Sequence, residues 1–262
     1  MHEGIGQAVA YLRKFIPFRV RVGLVLGSGL GVVREQFRAV AEIPYGEIPH
    51  FPISTVHGHV GRLIVGRRGT HRVLIMDGRV HRYEGYSFEK VTFPIAVLHK
   101  LGVTTAIITN AAGAVNRRLV PGDIMLITDH IDLMWQGVSD VSSGPQAIHK
   151  PYYSKRLTEI ALEIGASGSI PVKKGVLLAQ TGPSYETRAE VEFARKSGAD
   201  AATMSTVPEV TVCHMLGISV LGLSVITNVA ASHGSGHEDV VSSAEEAGRN
   251  LGRLIVGILG KM

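Results

Sequence analysis

The chain has 262 residues, 45% of them hydrophobic, a length that allows one large α/β domain with a substantial core. No apolar run approaches the roughly 18 residues of a membrane span, residues 1–9 lack the order of a signal peptide, and one cysteine excludes an internal disulfide framework. The net charge of +5 comes from scattered basic pairs, which argues against a nucleic-acid partner and suits anionic substrates. We therefore expect a cytoplasmic protein with no membrane partner, in which Cys213 is a packing residue.

Short apolar runs alternate with helical patterns along the chain, which predicts an α/β fold. Several of the runs are apolar almost throughout, as in a sheet that is buried on both faces. Strands are expected at 21–26, 61–65, 73–76, 105–109, 124–128, 174–180, Ala201–Thr203 and 219–227. Helices are expected at Phe88–Leu101, 154–164, 188–197, 207–216 and 243–259. The polar residues 137–150 are interpreted as a long surface loop.

Two of these helices have clear start signals. Thr187 precedes Glu190 by three residues, the spacing of a capping box, and Thr206 precedes Glu209 in the same way, with Pro208 in the first turn. Both helices follow apolar runs, so their N-termini are expected at strand ends, where open α/β sheets bind ligands.

A glycine-rich turn at residues 27–31 follows the first predicted strand. In such a turn the backbone N–H groups and the Ser28 hydroxyl can converge on an anion. Val32 stands where a dinucleotide-binding fingerprint needs glycine, and Leu26 where a nucleophile elbow needs one. An anion-binding turn and a purely structural turn both remain open from this pattern alone.

Arg79, His81 and Tyr83 occupy alternating positions after the apolar run 73–76. If the chain stays extended there, the three side chains point to the same side. Together with the glycine-rich turn, this row suggests an enzyme that handles phosphate beside a second, hydroxyl-bearing substrate.

Several other patterns carry weaker signals. His57 and His59 are compatible with a metal site, with surface histidines or with one histidine near an anion. His237 lies after a glycine- and serine-rich stretch, which indicates a loop, and either a functional or a surface role. The small residues 110–113 and the pair 227–228 end apolar strands, where they permit either close approach to a ligand or a tight turn.

Taken in order, the motifs resemble one family. They are LGSGLG (26–31), HGHVGRL (57–63), GRVHRYEGY (78–86), TNAAGAVN (109–116), GDIMLITDHI (122–131), GPSYET (182–187), MSTVPE (204–209), ITN (226–228) and GHED (236–239). This set strongly resembles the trimeric purine nucleoside phosphorylases from about residue 20 onward. The resemblance implies one α/β domain over 1–262 with a mixed central sheet flanked by helices, a homotrimer, and no metal or organic cofactor. The implied reaction, part of purine salvage, is reversible: a purine nucleoside and phosphate give free purine and ribose 1-phosphate.

The resemblance also implies roles for individual residues. The phosphate ligands would be Ser28, His59, Arg79, His81, the backbone of Ala111, and Ser205. The ribose would contact Tyr83, Met204 and His237, and the base would contact Tyr185, Glu186, Asn228 and Ala202. The catalytic group would be Asn228, Glu186 and His81. Glu186 would accept the N1–H of a 6-oxopurine, so inosine, guanosine and their deoxy forms are the expected substrates.

The chain departs from the family pattern at several points. Tyr185 replaces the more usual phenylalanine. Ala202 and Thr203 replace the usual valine and glycine, which is expected to change the shape of the base pocket. The region 139–154 is shorter than usual and lacks the aromatic stretch that relatives place in a neighbouring subunit's site; Tyr152 or Tyr153 is the candidate substitute.

Two alternative functions stay open. A methylthioadenosine phosphorylase shares the superfamily, but such enzymes usually carry aspartate where this chain has Asn228, and Glu186 also argues against it. A non-catalytic nucleoside- or phosphate-binding protein on the same fold is the second alternative, suggested by Ala202 and Thr203.

Overall fold

The computed structural model describes residues 2–56, 60–134, 151–231 and 237–262. Its described strands form one mixed sheet of nine strands, as the resemblance implies. The strands are β1 Val22–Leu26, β2 Arg38–Pro44, β3 Arg62–Arg68, β4 His71–Asp77, β5 Thr105–Ala114, β6 Ile124–Asp132, β7 Val172–Ala179, β8 Ala201–Thr203 and β9 Ser219–Val229. The helices are α1 His2–Leu12, α2 Phe88–Leu101, α3 Lys155–Ser167, α4 Arg188–Lys196, α5 Val207–Met215 and α6 His237–Lys261.

The sheet order is β2-β3-β4-β1-β5-β8-β7-β6-β9, and β9 also pairs with β5. Strands β5, β8, β7, β6 and β9 therefore form a closed ring, and the other four strands extend from it as an open sheet. Strand β1 runs parallel to both β4 and β5, and β5 runs parallel to β9. The C-terminal ends of these four strands consequently lie along one edge of the sheet, where a ligand site is expected.

Helices cover both faces of the sheet. On one face, α6 buries Leu251, Leu254, Ile255 and Ile258 against strand residues such as Leu24. On the other face, α1, α2 and α5 contribute residues such as Leu12, Leu98 and Cys213. Burying one such aliphatic side chain contributes about 1.5–3 kcal/mol to folding. Burial also raises the pKa of the Cys213 thiol, in keeping with its interpretation as a packing residue.

Most predicted elements are present, with shifted ends. Helix α2 has the predicted bounds, and its N-cap Ser87 accepts a hydrogen bond from the backbone N–H of Lys90. Helix α6 begins at His237, six residues before the predicted start at 243, so His237 opens a helix and is not in a loop. The predicted loop 137–150 lies outside the described residues.

Of the strands and α-helices given above, two were not predicted. Strand β2 pairs only with β3 at the outer edge of the sheet and buries only Ile43, so it lacks a clear apolar pattern. Helix α1 buries Ile5, Ala8 and Leu12, a spacing of three to four residues typical of an amphipathic helix.

Candidate active site

A cleft of about 650 Å³, including its open mouth, lies along the strand ends. All but two of the predicted site residues line it: Ser28, Arg79, His81, Tyr83, Ala111, Tyr185, Glu186, Ala202, Met204, Ser205 and Asn228. The other two are His59, which lies outside the described residues, and His237, of which only the backbone at the start of α6 is described. Residues from the beginning and the end of the chain thus surround one space.

The glycine-rich turn packs tightly against β5. A Cβ added at Gly27 would lie 2.8 Å from the Cα of Asn110, and Gly29 has a φ of +72°, which side chains rarely tolerate. The Gly27 N–H donates to Thr109 Oγ1 at 3.4 Å. Glycine is therefore required here for close approach and for backbone conformation, and the turn holds Ser28 at the cleft.

Arg79 is almost completely buried, with 2% of its surface exposed, and it forms an ion pair with Glu209. Its Nη1 donates to Glu209 Oε2 at 3.1 Å and to Thr206 Oγ1 at 3.1 Å, and its Nη2 donates to the Thr109 carbonyl. The Glu209 side chain is only 3% exposed. The guanidinium charge is thus compensated and oriented by the protein itself, because an unpaired buried charge is costly.

The expected capping box at Thr206 is wrong. Thr206 makes no side-chain cap hydrogen bond, has a φ of +77°, and accepts from Arg79, while Glu209 pairs with the guanidinium. A threonine and a glutamate three residues apart can form a capping box or can both accept hydrogen bonds from a third residue. Here both accept from the buried Arg79, so no capping box forms. The box at Thr187 is confirmed, since the Thr187 side chain accepts from the Glu190 N–H and the Glu190 carboxylate accepts from the Thr187 N–H.

His81 is held by a second buried carboxylate. Its Nδ1 lies 3.0 Å from Glu84 Oε1, and its backbone N–H donates to the same oxygen at 2.7 Å. Glu84 also accepts from Thr55 N at 2.7 Å and from the Ser54 hydroxyl at 3.2 Å. Burial opposes ionisation of Glu84, but these hydrogen bonds outweigh it and lower its pKa to about 2.

The backbone does not stay extended from Arg79 to Tyr83, which was the condition for placing the three side chains on one side. His81 is extended, but Arg82–Glu84 form a 3₁₀ turn. Tyr83 nevertheless lines the same cleft, because the turn stacks its ring on that of His81 at a centroid distance of 4.7 Å. Burial, and then the charge of Glu84, raise the pKa of Tyr83 to about 12.

Glu186 and Tyr185 form another wall of the cleft. The Gln180 side-chain amide donates from Nε2 to Glu186 Oε1 at 2.8 Å. Burial raises the pKa of Glu186 and the charge of Glu190 adds to that rise, whereas hydrogen bonds from its own backbone N–H and from Gln180 counteract it. Tyr185 lines the cleft and is 46% exposed, so this side of the cleft is open to solvent.

Asn228 lies at the end of β9 with its side-chain amide oriented by its neighbour. The Thr227 hydroxyl donates to Asn228 Oδ1 at 3.0 Å, and Asn228 Nδ2 donates to the Val229 carbonyl at 3.3 Å.

Thr203, which replaces a usual glycine, donates from its hydroxyl to the Ala111 carbonyl at 3.2 Å. Its added polar group is thus satisfied at the wall of the cleft.

Tyr152 and Tyr153 do not line the cleft. The Tyr153 side chain is buried in the core, with its hydroxyl 3.1 Å from His130 Nδ1, so the suggestion that Tyr153 serves a neighbouring subunit is wrong. Tyr152 packs between the rings of His130 and His214.

Three supporting residues were not predicted from the sequence. The spacing assigns Glu209 to a helix cap, Glu84 has no predicted role although it lies inside a quoted motif, and no pattern singles out Gln180.

The chemistry of the cleft follows from the residues that line it. Four residues, called the anion cluster below, offer hydrogen-bond donors to an anion: Ser28, Arg79, His81 and Ser205. Three others, called the base cluster, offer a ring, a carboxylate and an amide to a flat heterocycle: Tyr185, Glu186 and Asn228.

Comparison with known proteins gives one consistent result. Residues 21–260 match the family described as the phosphorylase superfamily. Purine nucleoside phosphorylase 1 of Geobacillus stearothermophilus is 43% identical over 98% of this chain and 97% of its own length. The enzyme of the same name from Bacillus subtilis (strain 168) is 42% identical over 100% of this chain and 99% of its own length. The purine nucleoside phosphorylase of Rattus norvegicus is 36% identical over 97% of this chain and 93% of its own length.

Solved structures agree. The crystal structure of Schistosoma mansoni purine nucleoside phosphorylase in complex with adenosine superposes with a TM-score of 0.89 at 31% identity, covering 99% of this chain and 97% of that one. A schistosomal purine nucleoside phosphorylase in complex with hypoxanthine gives the same values.

Proposed function

We propose, since the chain belongs to the phosphorylase superfamily and within it to the purine nucleoside phosphorylases, that the cleft of residues 27–28, 79–83 and 185–228 is where nucleoside and phosphate meet. The activity is the phosphorolysis of purine nucleosides. One observation carries the assignment of the site: the anion cluster and the base cluster line the same cleft.

The anion cluster would bind inorganic phosphate. A guanidinium presents a planar fork of donors to phosphate oxygens, and the Ser28 and Ser205 hydroxyls and the Ala111 N–H would fill other lone pairs. Because Glu209 and Glu84 already hold Arg79 and His81, little rearrangement is needed when phosphate binds. Such preorganisation and positioning provide much of the acceleration in displacements of this kind.

The base cluster would bind the purine. Tyr185 would pack against the ring, with Ala202 nearby, and Glu186 would accept a hydrogen bond from N1–H. Asn228 would donate toward N7 or O6 as negative charge builds on the departing base. A donor aimed at developing charge stabilises the transition state more than the ground state, which is the requirement for catalysis.

The preference for 6-oxopurines follows from Glu186. An ionised carboxylate attracts the N1–H of hypoxanthine or guanine, whereas adenine presents a lone pair at N1 and would be repelled. Inosine, guanosine and their deoxy forms are therefore the proposed substrates. Tyr83, Met204 and His237 would contact the ribose, and His59 would cover the phosphate.

We further propose a homotrimer located in the cytoplasm. Both follow from membership of the family. Among the residues that the structure describes, no helix combines the length and the apolarity that a membrane crossing needs. One sheet takes strands from residue 22 to residue 229, which supports a single domain. Sedimentation equilibrium would test the trimer, since the expected mass is that of three 28.1-kDa chains.

The test of the function is base release from inosine, guanosine and adenosine, each with and without inorganic phosphate. Phosphate-dependent release from inosine and guanosine alone is expected. Release from adenosine at a comparable rate would overturn the role of Glu186, and release from none would overturn the function. Ser205→Ala should weaken phosphate use, whereas the control Ser167→Ala on α3, outside the cleft, should not.

A further inference from the structure

Gln180 contacts Glu186 of the base cluster but does not itself line the cleft. It follows β7 directly, and its backbone N–H donates to the Thr203 carbonyl at 3.0 Å, which anchors it to β8. Its side-chain Nε2 then donates to Glu186 Oε1 at 2.8 Å across six residues of chain. The residue is thereby held at both its backbone and its side chain, next to the carboxylate that faces the cleft.

We propose that Gln180 is a specificity-determining positioning residue: by donating to Glu186 it keeps this carboxylate a hydrogen-bond acceptor, and so selects purines that carry a hydrogen on N1. The inference rests on the proposed function, in which Glu186 contacts the purine edge. It adds a residue that does not touch the substrate and acts only through Glu186.

The Glu186 carboxyl group has two protonation states, which differ in the hydrogen bonds they can make. In its ionised state the group accepts hydrogen bonds at both oxygens, so one can take Gln180 and the other N1–H. In its neutral state it carries an O–H donor, which suits the N1 lone pair of a 6-aminopurine. Whatever stabilises the ionised state therefore favours 6-oxopurines, and whatever stabilises the neutral state favours 6-aminopurines.

The surroundings of Glu186 act in opposite directions. Burial favours the neutral state, and so does the negative charge of Glu190 in the first turn of α4. The backbone N–H of Glu186 itself and the side chain of Gln180 favour the ionised state through hydrogen bonds. Tyr83, Tyr185 and Asn228, which line the cleft beside Glu186, carry no charge near neutral pH. The backbone N–H at position 186 does not depend on which side chain stands there. Of the two donors, only the Gln180 amide therefore depends on the identity of a side chain.

The test is Gln180→Met, which keeps the length of the side chain and removes the donor. The quantity to measure is the ratio of kcat/KM for inosine to kcat/KM for adenosine between pH 5 and pH 8. We expect this ratio to fall roughly tenfold, the value of one hydrogen bond to a charged group. The acidic limb of the inosine profile should move to higher pH, because Glu186 would then ionise less readily.

Gln7→Met is the matched control. It removes a glutamine hydrogen bond to His50, 2.7 Å long, at a site outside the cleft, and it should leave the ratio and the profile unchanged. If Gln180→Met lowers kcat/KM equally for both nucleosides, or lowers only the melting temperature, Gln180 is structural and the proposal is wrong.

Gln180→Glu is the second variant and keeps the test decisive if the methionine variant does not fold. A carboxyl group at position 180 opposes ionisation of Glu186, because two carboxylates at this distance share one proton. Selectivity for inosine should therefore stay below that of the wild type at acid and neutral pH, and should rise only at the higher pH where both groups ionise. A ratio whose pH dependence matches that of the wild type would contradict the proposal. Absence of activity in the wild-type protein would instead contradict the proposed function.

Discussion

The anion cluster and the base cluster are supported in different ways. Behind the first, each side chain that can carry positive charge contacts a carboxylate with almost no exposed side-chain surface: Arg79 with Glu209, and His81 with Glu84. Behind the second, support comes from hydrogen bonds donated by neutral groups, and one member, Tyr185, is nearly half exposed. A fully buried charge must be compensated even when no ligand is bound. The ring, the carboxylate and the amide of the base cluster are all less deeply buried, so hydrogen bonds from neutral groups suffice there.

This difference separates stability from selectivity. Removing one partner of a buried ion pair leaves the other charge uncompensated and costs about 3–5 kcal/mol, whereas a typical neutral hydrogen bond contributes about 0.5–1.5 kcal/mol. Substitutions behind the anion cluster should therefore damage the fold and the chemistry together. Substitutions in or behind the base cluster should change rate or substrate choice while the protein stays folded.

The largest effect is expected from Glu209→Ala. It leaves the Arg79 guanidinium buried without its carboxylate, so the free energy of unfolding should fall by about 3–5 kcal/mol, and activity should be lost with it. Urea denaturation measures the first and phosphorolysis the second. Glu209→Gln, which keeps an acceptor, should cost distinctly less. A loss below about 1 kcal/mol for the alanine variant would show that the ion pair does not support the fold.

Asn228→Ala tests the other cluster. We expect kcat to fall by about 10²–10³, because the donor acts on charge that develops in the transition state, while stability changes little. Steady-state kinetics with saturating phosphate separates kcat from KM. Thr227→Val, which removes the hydroxyl that orients the Asn228 amide, should have a smaller effect in the same direction. A rise in KM alone would show that Asn228 only binds the base.

Acid pH should weaken the support of His81. The pKa of Glu84 in the folded protein, about 2, lies below its ordinary value of 4.5, so ionised Glu84 stabilises the fold fully above about pH 4.5. That contribution is lost progressively as the pH falls from about 4.5 toward 2. Unfolding free energies measured across this interval should decrease, and Glu84→Gln should flatten the dependence. An identical slope in the variant and the wild type would contradict this role.

The smallest effect is expected from Thr187→Ala. The capping box at the start of α4 follows Glu186 directly, and losing the threonine cap should cost about 1 kcal/mol with a modest rise in KM for the nucleoside. Ser154→Ala, which removes the cap of α3 outside the cleft, should cost a similar amount of stability and leave KM unchanged. Equal KM values for the two variants would show that the helix start does not influence the base cluster.

The sequence predicted the buried part of the sheet better than its edge. Apolar runs identified every described strand except β2, which lies at the edge and buries a single side chain, so it carries no apolar signature. The residues around the cleft were predicted because they stand in recognisable motifs. Their supports were not, since Glu209 and Gln180 act across 130 and 6 residues of chain, and the same spacing fits other interactions.

The extra pairing of β9 with β5 also governs how the molecule meets other chains. Because five strands close into a ring, the described sheet leaves only the outer side of β2 free to pair with a foreign strand. Unpaired edges are where sheets from different molecules join into aggregates, and charge and proline discourage this. Strand β2 carries the charged residues Arg38 and Glu42 and ends at Pro44. Within the part of the chain that the structure describes, the sheet therefore has one place open to such joining, and its own residues protect it.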